Sequence, residues 1–200
     1  MTEPDRLRVV LELIDEANKA DPNLEEVDGC MQPAALLYGR RMSAVLNEFA
    51  PNASEHVAIA VRAQHIERWL RPRGDYPQGR AGYLAWRRDA GRYHARRVAE
   101  LMSEAGYDNA ACARVSTIVS KRGIKSDMET QTLEDVACLV FMRWYFLPFA
   151  QERLHEDVYR IVAKTARKMS PAGRHAALSL PIPAQLVPAL TGADSHAASR

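Results

Sequence analysis

Two histidines and two adjacent acids have the residue types and spacing to do chemistry inside a helical protein. If their segments are helical, His65 and His94 each share a face with apolar residues one turn away. Glu134 and Asp135 open the most apolar stretch of the chain. Ionised groups inside a bundle are costly unless they are paired or bound to a cation. The four residues therefore predict a general acid–base site or a divalent metal site, held by His65, His94 and either Glu134 or Asp135, with Asp135 the metal ligand that we choose provisionally.

Each of these groups also has a structural explanation, which the sequence leaves open. A histidine on an apolar face can be a hydrogen-bonded core residue. Acids in a first helical turn are favoured by the helix dipole without any catalysis. Glu134 or Asp135 can equally be the buried counter-ion of an arginine.

A second feature is an arginine-rich stretch between residues 62 and 97. It holds ten arginines, no lysine and three acids, with aromatic residues between them. Guanidinium groups bind phosphate and carboxylate in a bidentate manner and stack on aromatic rings. The stretch is either a solvated helix face or an anion-binding surface. In the second case, the predicted substrate-binding residues are Arg68, Trp69, Arg73, Tyr76, Tyr83 and Arg87.

Length and composition indicate the class of protein to which these residues belong. The chain has 200 residues, 47% hydrophobic and 26% charged, with a net charge of +2. These values predict one globular domain over residues 1–192 and a frayed tail over 193–200. No apolar run is long enough to span a membrane. Three scattered cysteines and an acidic N-terminus without an export signal predict a cytoplasmic protein.

Apolar periodicity predicts an all-α domain, a bundle of about seven to eight helices. No hairpin is expected, and residues 71–82 are expected to form a loop because Pro72, Gly74, Pro77 and Gly79 interrupt them. The predicted helices cover residues 4–20, 33–49, 55–70, 83–105, 109–120, 129–146, 151–168 and 183–190.

Several motifs in this chain carry a resemblance to a known family. They are LLYGRRMS at 36–43, QHIERW at 64–69, GYLAWR at 82–87 and LEDVACLVF at 133–141. With Asp21-Pro22-Asn23 near the start, they make the chain resemble the family called domain of unknown function 4202 over almost its whole length.

The layout is also distantly similar to the HD superfamily of helical, metal-dependent phosphohydrolases. This resemblance implies an HD-like fold and a divalent metal. It matches His65 to the histidine of the superfamily's His-Asp pair and places Asp135, or Glu134, near the final aspartate. Tyr38 falls where the first histidine is expected, and Ile66 replaces the paired aspartate. His94 lies where many such enzymes have an additional histidine.

Three function hypotheses follow. The first is a hydrolase that uses a metal-bound water on a small substrate bearing phosphate or carboxylate. The second is a metal-free module whose arginine and aromatic residues bind a nucleotide, an RNA end or an acidic partner. Tyr38 and Ile66 favour this second hypothesis. The third is a helical scaffold. A small anionic ligand is preferred to nucleic acid, no membrane contact is expected, and the oligomeric state is left open.

Overall fold

The computed structural model describes residues 3–151 and 155–192, and the fold is mostly helical, as predicted. The chain divides into two compact units, residues 1–122 and 123–200. One domain over 1–192 stays a prediction, and the predicted frayed tail lies outside the described residues. Within the described ranges, no helix is both long and apolar enough to cross a membrane.

Unit 1 consists of five helices and one small hairpin. Helices α1–α3 pack on one another, and α4 packs along α5. Ser54 caps α3 and Asp108 caps α5, each side chain accepting a backbone N–H of the first turn. The elements are α1 (Glu3–Lys19), β1 (Leu24–Val27), β2 (Cys30–Pro33), α2 (Ala34–Phe49), α3 (Glu55–Arg62), α4 (Gly79–Glu104) and α5 (Asn109–Val119).

The hairpin corrects the expectation of a plain loop before residue 33. Strands β1 and β2 pair antiparallel, with Leu24 opposite Pro33. Asp28 (φ 52°) and Gly29 (φ 78°) form the two-residue turn, and positive φ at both positions is what a type I′ turn needs. The Asp-Gly pair was the available signal. It was missed because the two short strands show little alternation of apolar and polar residues.

Helix α3 is shorter than predicted, which changes the setting of His65. The helix ends at Arg62 instead of residue 70, and residues 63–67 form turns followed by a short 3-10 turn at Arg68–Leu70. Glu67 takes a left-handed conformation with φ 49°. His65 therefore lies on an irregular segment rather than on a helical face. Tertiary hydrogen bonds to this segment, described below, replace the helical ones.

Helix α4 begins four residues earlier than predicted, at Gly79. Its first turns lie against the preceding loop, and Gly82 is the point of closest approach. A Cβ added at Gly82 would lie only 1.8 Å from the carbonyl oxygen of Pro77. Only glycine fits there without moving the backbone.

Unit 2 contains the other five helices of the described chain, so the count is ten rather than seven or eight. The predicted helix at 129–146 is interrupted by a π-helical turn at Phe141–Tyr145. A further helix, not predicted, begins after Ser170, whose hydroxyl caps it. The helices are α6 (Met128–Val140), α7 (Phe146–Gln151), α8 (His155–Ala166), α9 (Pro171–Leu178) and α10 (Val187–Thr191).

Candidate functional site

The irregular segment after α3 is held in place through Glu67. Its backbone N–H donates to Asn18 Oδ1 at 2.9 Å. Its carboxylate accepts hydrogen bonds from the Tyr93 hydroxyl at 2.6 Å and from Arg97 Nε at 3.1 Å. These bonds fix a residue whose left-handed backbone would otherwise be unfavourable. The segment therefore presents His65 and the residues beside it from a well-fixed backbone.

His94 on α4 is buried and carries an unsatisfied nitrogen. Its side chain is 3% exposed, and Nδ1 lies 2.7 Å from the carbonyl oxygen of Ile66. A carbonyl can only accept, so Nδ1 carries the proton and Nε2 offers a lone pair. Nε2 is buried without a hydrogen-bond partner among the residues described. Burial lowers the pKa of His94 to about 4, so the ring is neutral at neutral pH.

His65 lies between Tyr38 and His94. Its ring stacks on Tyr38, with centroids 4.3 Å apart and an interplanar angle of 20°, and its centroid is 6.1 Å from that of His94. Burial lowers the pKa of His65 well below its usual value, and the nearby charges of Arg68, Lys121 and Arg87 lower it further. His65 is therefore a neutral imidazole in cationic surroundings.

Arg68 is the partly buried cation of this group. Its guanidinium lies over the Trp86 ring, 4.6 Å from the centroid. Burial lowers the pKa of Arg68, and Arg87 acts in the same direction. In the described part of the chain, no carboxylate contacts Arg68. Arg87 is exposed, and its guanidinium lies 5.8 Å from the centroid of the Tyr83 ring.

The structure thus brings together six predicted site residues within unit 1, which we call the His–Arg cluster. They are linked by ring contacts and by electrostatic interactions with one another. They come from α2, from the segment after α3, and from α4. The cluster consists of Tyr38, His65, Arg68, Tyr83, Arg87 and His94.

Three other predicted binding residues have local roles in the loop before α4 or in the turn that precedes it. Arg73 donates to the carbonyl oxygens of Tyr76 and Pro77, both at 2.8 Å, and so holds the loop closed. The Tyr76 hydroxyl donates to Asp89 on α4. Trp69 is half-buried in the 3-10 turn. The contacts of Arg73 and Tyr76 shape the loop, and a substrate-binding role for these three residues stays a prediction.

Glu134 and Asp135 lie on α6 in unit 2. Asp135 Oδ1 accepts from the Ser170 N–H at 2.8 Å and from Gln131 Nε2 at 3.1 Å, and Oδ2 accepts from the Ser170 hydroxyl at 2.6 Å. Burial raises the pKa of Asp135, and the hydrogen bonds from Ser170 and Gln131 oppose that rise. Glu134 is 3% exposed and lies 3.6 Å from Lys168 Nζ. Both acids therefore have partners within their own unit, and a catalytic or metal-binding role for them stays a prediction.

The His–Arg cluster suits an anion better than a metal ion. Across residues 3–151 and 155–192, no group of three or more His, Cys, Asp or Glu side chains is placed to hold a metal. The cluster itself offers two imidazoles, and the charges acting on His65 are those of Arg68, Lys121 and Arg87. These cations would repel a divalent metal and attract an anion. The residues of the cluster thus do not fit the metal that the HD resemblance implies.

Comparison with known families now identifies the chain. Its sequence matches the family described as a domain of unknown function (DUF4202) over residues 8–190. The chain belongs to the DUF4202 family. No curated protein and no solved structure matches it. The kinship with the HD superfamily and the cytoplasmic location stay predictions.

The residues that support the cluster in this DUF4202 protein were missed in the sequence. Asn18, Glu67, Tyr93 and Arg97 hold the segment that carries His65. One signal was available in the sequence, because Asn18 follows Ile14 by one turn on the apolar side of α1. The structure shows that Asn18 is indeed buried, with 1% exposed. A buried amide needs a hydrogen-bond partner. Its partner, the Glu67 N–H, depends on tertiary structure and could not be read from spacing.

Proposed function

We propose that this DUF4202 protein binds a small anionic ligand, bearing phosphate or carboxylate, at the His–Arg cluster. The observation that carries the proposal is Arg68, a partly buried guanidinium that no carboxylate contacts among the described residues. A buried charge without a counter-ion is unfavourable. A ligand that supplies the counter-ion removes that cost and gains bidentate hydrogen bonds.

The neighbouring residues give this ligand a proton donor and an outer contact. An anion close to His65 offsets the cations around it and raises the pKa of its imidazole. His65 then takes up a proton as the ligand binds, and it can return that proton to a leaving group. Arg87 contacts the ligand from the solvent side, and His94 supports His65 from within unit 1.

The test is calorimetric titration with sulfate, whose charge does not change near neutral pH. Arg68→Gln should weaken sulfate binding roughly 10- to 100-fold, because a hydrogen bond to a charged group contributes about 1.5–3 kcal/mol. Arg8→Gln removes the same charge from an exposed arginine paired with Glu12 and serves as the control. Equal affinities for the two variants would refute the proposal, as would the absence of sulfate binding to the wild type.

A second candidate is the metal-assisted, HD-like hydrolase of a small anionic substrate, which would need metal ligands beyond the two imidazoles of the His–Arg cluster. One observation favours it: His94 donates Nδ1–H to a backbone carbonyl and leaves Nε2 unpartnered, which is how metal-ligating histidines are oriented. Elemental analysis of untagged protein and of His65→Ala separates the candidates. Near-stoichiometric metal that is lost in the variant supports the hydrolase. Metal-free protein that binds sulfate supports the anion site alone.

A further inference from the structure

A row of arginines runs along the outer face of α4, apart from the His–Arg cluster. Arg80, Leu84, Arg88 and Arg92 are each four residues apart, so they form one continuous ridge about 18 Å long. All four side chains are exposed, Leu84 by 50%. A Cβ added at Gly91, beside the ridge, would meet nothing within 4 Å. We call these four residues the α4 arginine row, and they face open space in unit 1.

Several exposed arginines elsewhere have acidic partners, which the arginines of the row lack. Arg8 pairs with Glu12 at 2.9 Å, and Arg160 pairs with Asp157 at 2.6 Å. No acid contacts Arg80, Arg88 or Arg92 within the described chain.

The row also carries an internal repulsion. Arg88 and Arg92 are like charges at i and i+4, an arrangement that destabilises a helix. One glutamate in the row would remove this cost. An unpaired cationic ridge of this kind is complementary to a chain of negative charges.

The residues next to the row favour a strand with accessible bases. Tyr83 is 42% exposed and adjoins Leu84, which places aromatic and apolar surface beside the arginines. Proteins that bind single strands combine basic grooves with such surfaces, on which unstacked bases lie. A duplex offers phosphates but no unstacked base, and an acidic peptide offers no base.

We infer that the α4 arginine row binds single-stranded nucleic acid through its phosphates. Tyr83 and Leu84 contact one base of the strand. Tyr83 belongs to the His–Arg cluster as well, but Arg80, Arg88 and Arg92 lie outside it, so phosphate binding by the row does not depend on the proposed small-anion site.

The experiment measures fluorescence anisotropy of a labelled 12-nucleotide oligouridylate at several salt concentrations. In R88Q/R92Q we expect the affinity to fall at least roughly 10-fold. Its dependence on log salt should lose about 1.4 in slope, or 0.7 for each phosphate contact. R8Q/R160Q removes the same two charges at exposed, acid-paired positions and should stay within about twofold of the wild type. Thermal unfolding checks that both variants are folded.

Several results would overturn the inference. They are no binding of the oligonucleotide at low salt, equal losses in the two double variants, tighter binding of a duplex of the same length, and full displacement by polyglutamate at matched charge. Sulfate titration of R88Q/R92Q separates this inference from the proposed function. Oligonucleotide binding that depends on Arg88 and Arg92 supports the nucleic-acid site on the α4 arginine row, even if sulfate does not bind to the His–Arg cluster.

Discussion

Two buried titratable residues, one from each unit, differ in how completely their hydrogen bonds are satisfied. Asp135 in unit 2 is 2% exposed, and its two oxygens accept three hydrogen bonds from Ser170 and Gln131. His94 in unit 1 is 3% exposed and uses one nitrogen, while the other is buried without a partner among the described residues. A satisfied buried group is explained by stability alone. An unsatisfied one costs stability and needs a different explanation.

The same contrast holds between two arginines of unit 1. Arg62, at the end of α3, donates two hydrogen bonds to Asp15, at 2.7 and 2.8 Å. Arg68, six residues later, lies on Trp86 and has no contact with a carboxylate in the part of the chain described. At Arg62 the fold supplies an acid for a structural arginine. The His–Arg cluster has the opposite pattern, which is why we assign the ligand to it.

The largest effect on stability is expected at Asp135, the buried acid whose two oxygens both accept hydrogen bonds. Asp135→Ala removes the acceptor for Ser170 and Gln131 and should lower the free energy of unfolding by about 3 kcal/mol. Urea denaturation measures this loss. Sulfate affinity, measured in the folded variant, should not change. A folded, stable Asp135→Ala protein with much weaker sulfate binding would move the site into unit 2.

A steric change can disturb the cluster without altering its chemistry. Gly82→Ala forces a Cβ against the Pro77 carbonyl and should cost about 1–3 kcal/mol. It should also weaken sulfate binding, because the loop lies against the part of α4 that carries Tyr83. Gly91→Ala on the same helix has open space and should gain about 0.5–1 kcal/mol. Thermal unfolding of the pair measures both effects, and equal results would contradict the packing described for Gly82.

Stability should depend on pH through His94. Its pKa is about 4 in the folded protein, against about 6.5 in the unfolded chain. Between these pH values the unfolded chain binds a proton that the folded protein does not bind. The stability that the neutral His94 ring contributes is therefore complete above pH 6.5 and is lost as the pH falls towards 4. The loss between pH 7 and pH 5 should be about 2 kcal/mol.

Urea denaturation at pH 7 and pH 5 measures this loss. His94→Phe removes the titrating ring and should show a smaller loss over the same range. His65 shifts in the same direction, so some dependence should remain in the variant. An identical pH dependence in the two proteins would mean that the His94 ring is already accessible to protons.

The smallest effect is expected at the exposed edge of the cluster. Arg87→Lys keeps the charge and removes the planar guanidinium over Tyr83. Lysine cannot bind sulfate in a bidentate manner, and at this exposed position we expect the loss to weaken sulfate binding roughly two- to fivefold, or about 0.5–1 kcal/mol. Calorimetry can resolve this change. Unchanged affinity would remove Arg87 from the site and leave Arg68 as its cation.

The sequence predicted most helices of this fold because apolar periodicity and capping residues are local signals. The start of α5 after Asp108 and the end of α2 at Phe49 are examples. The end of α3 was wrong by eight residues, since Glu67 is held by Asn18, and that partner lies in another helix. The π-helical turn within the predicted sixth helix likewise has no local signal in its apolar residues.

The site itself stays a prediction, but the structure shows which of its proposed residues lie together. Residue type singled out His65, His94 and Arg68, and the structure brings them together in unit 1. Arg73 was predicted as a clamp because arginines favour anions, but its guanidinium binds loop carbonyls. Whether an arginine meets a carbonyl, an acid or a ligand depends on tertiary contacts that composition does not encode.

The most direct test of the central claim is the protonation of the two histidines with and without an anion. Long-range proton–nitrogen NMR spectra report the tautomer and the titration midpoint of each ring. We predict that His94 carries its proton on Nδ1 and stays neutral at pH 6. Saturating sulfate should raise the midpoint of His65 by at least about one pH unit. Titration midpoints near 6.5 for both rings would contradict the burial of neutral histidines in the His–Arg cluster. A His65 midpoint that sulfate does not move would contradict the anion site proposed there.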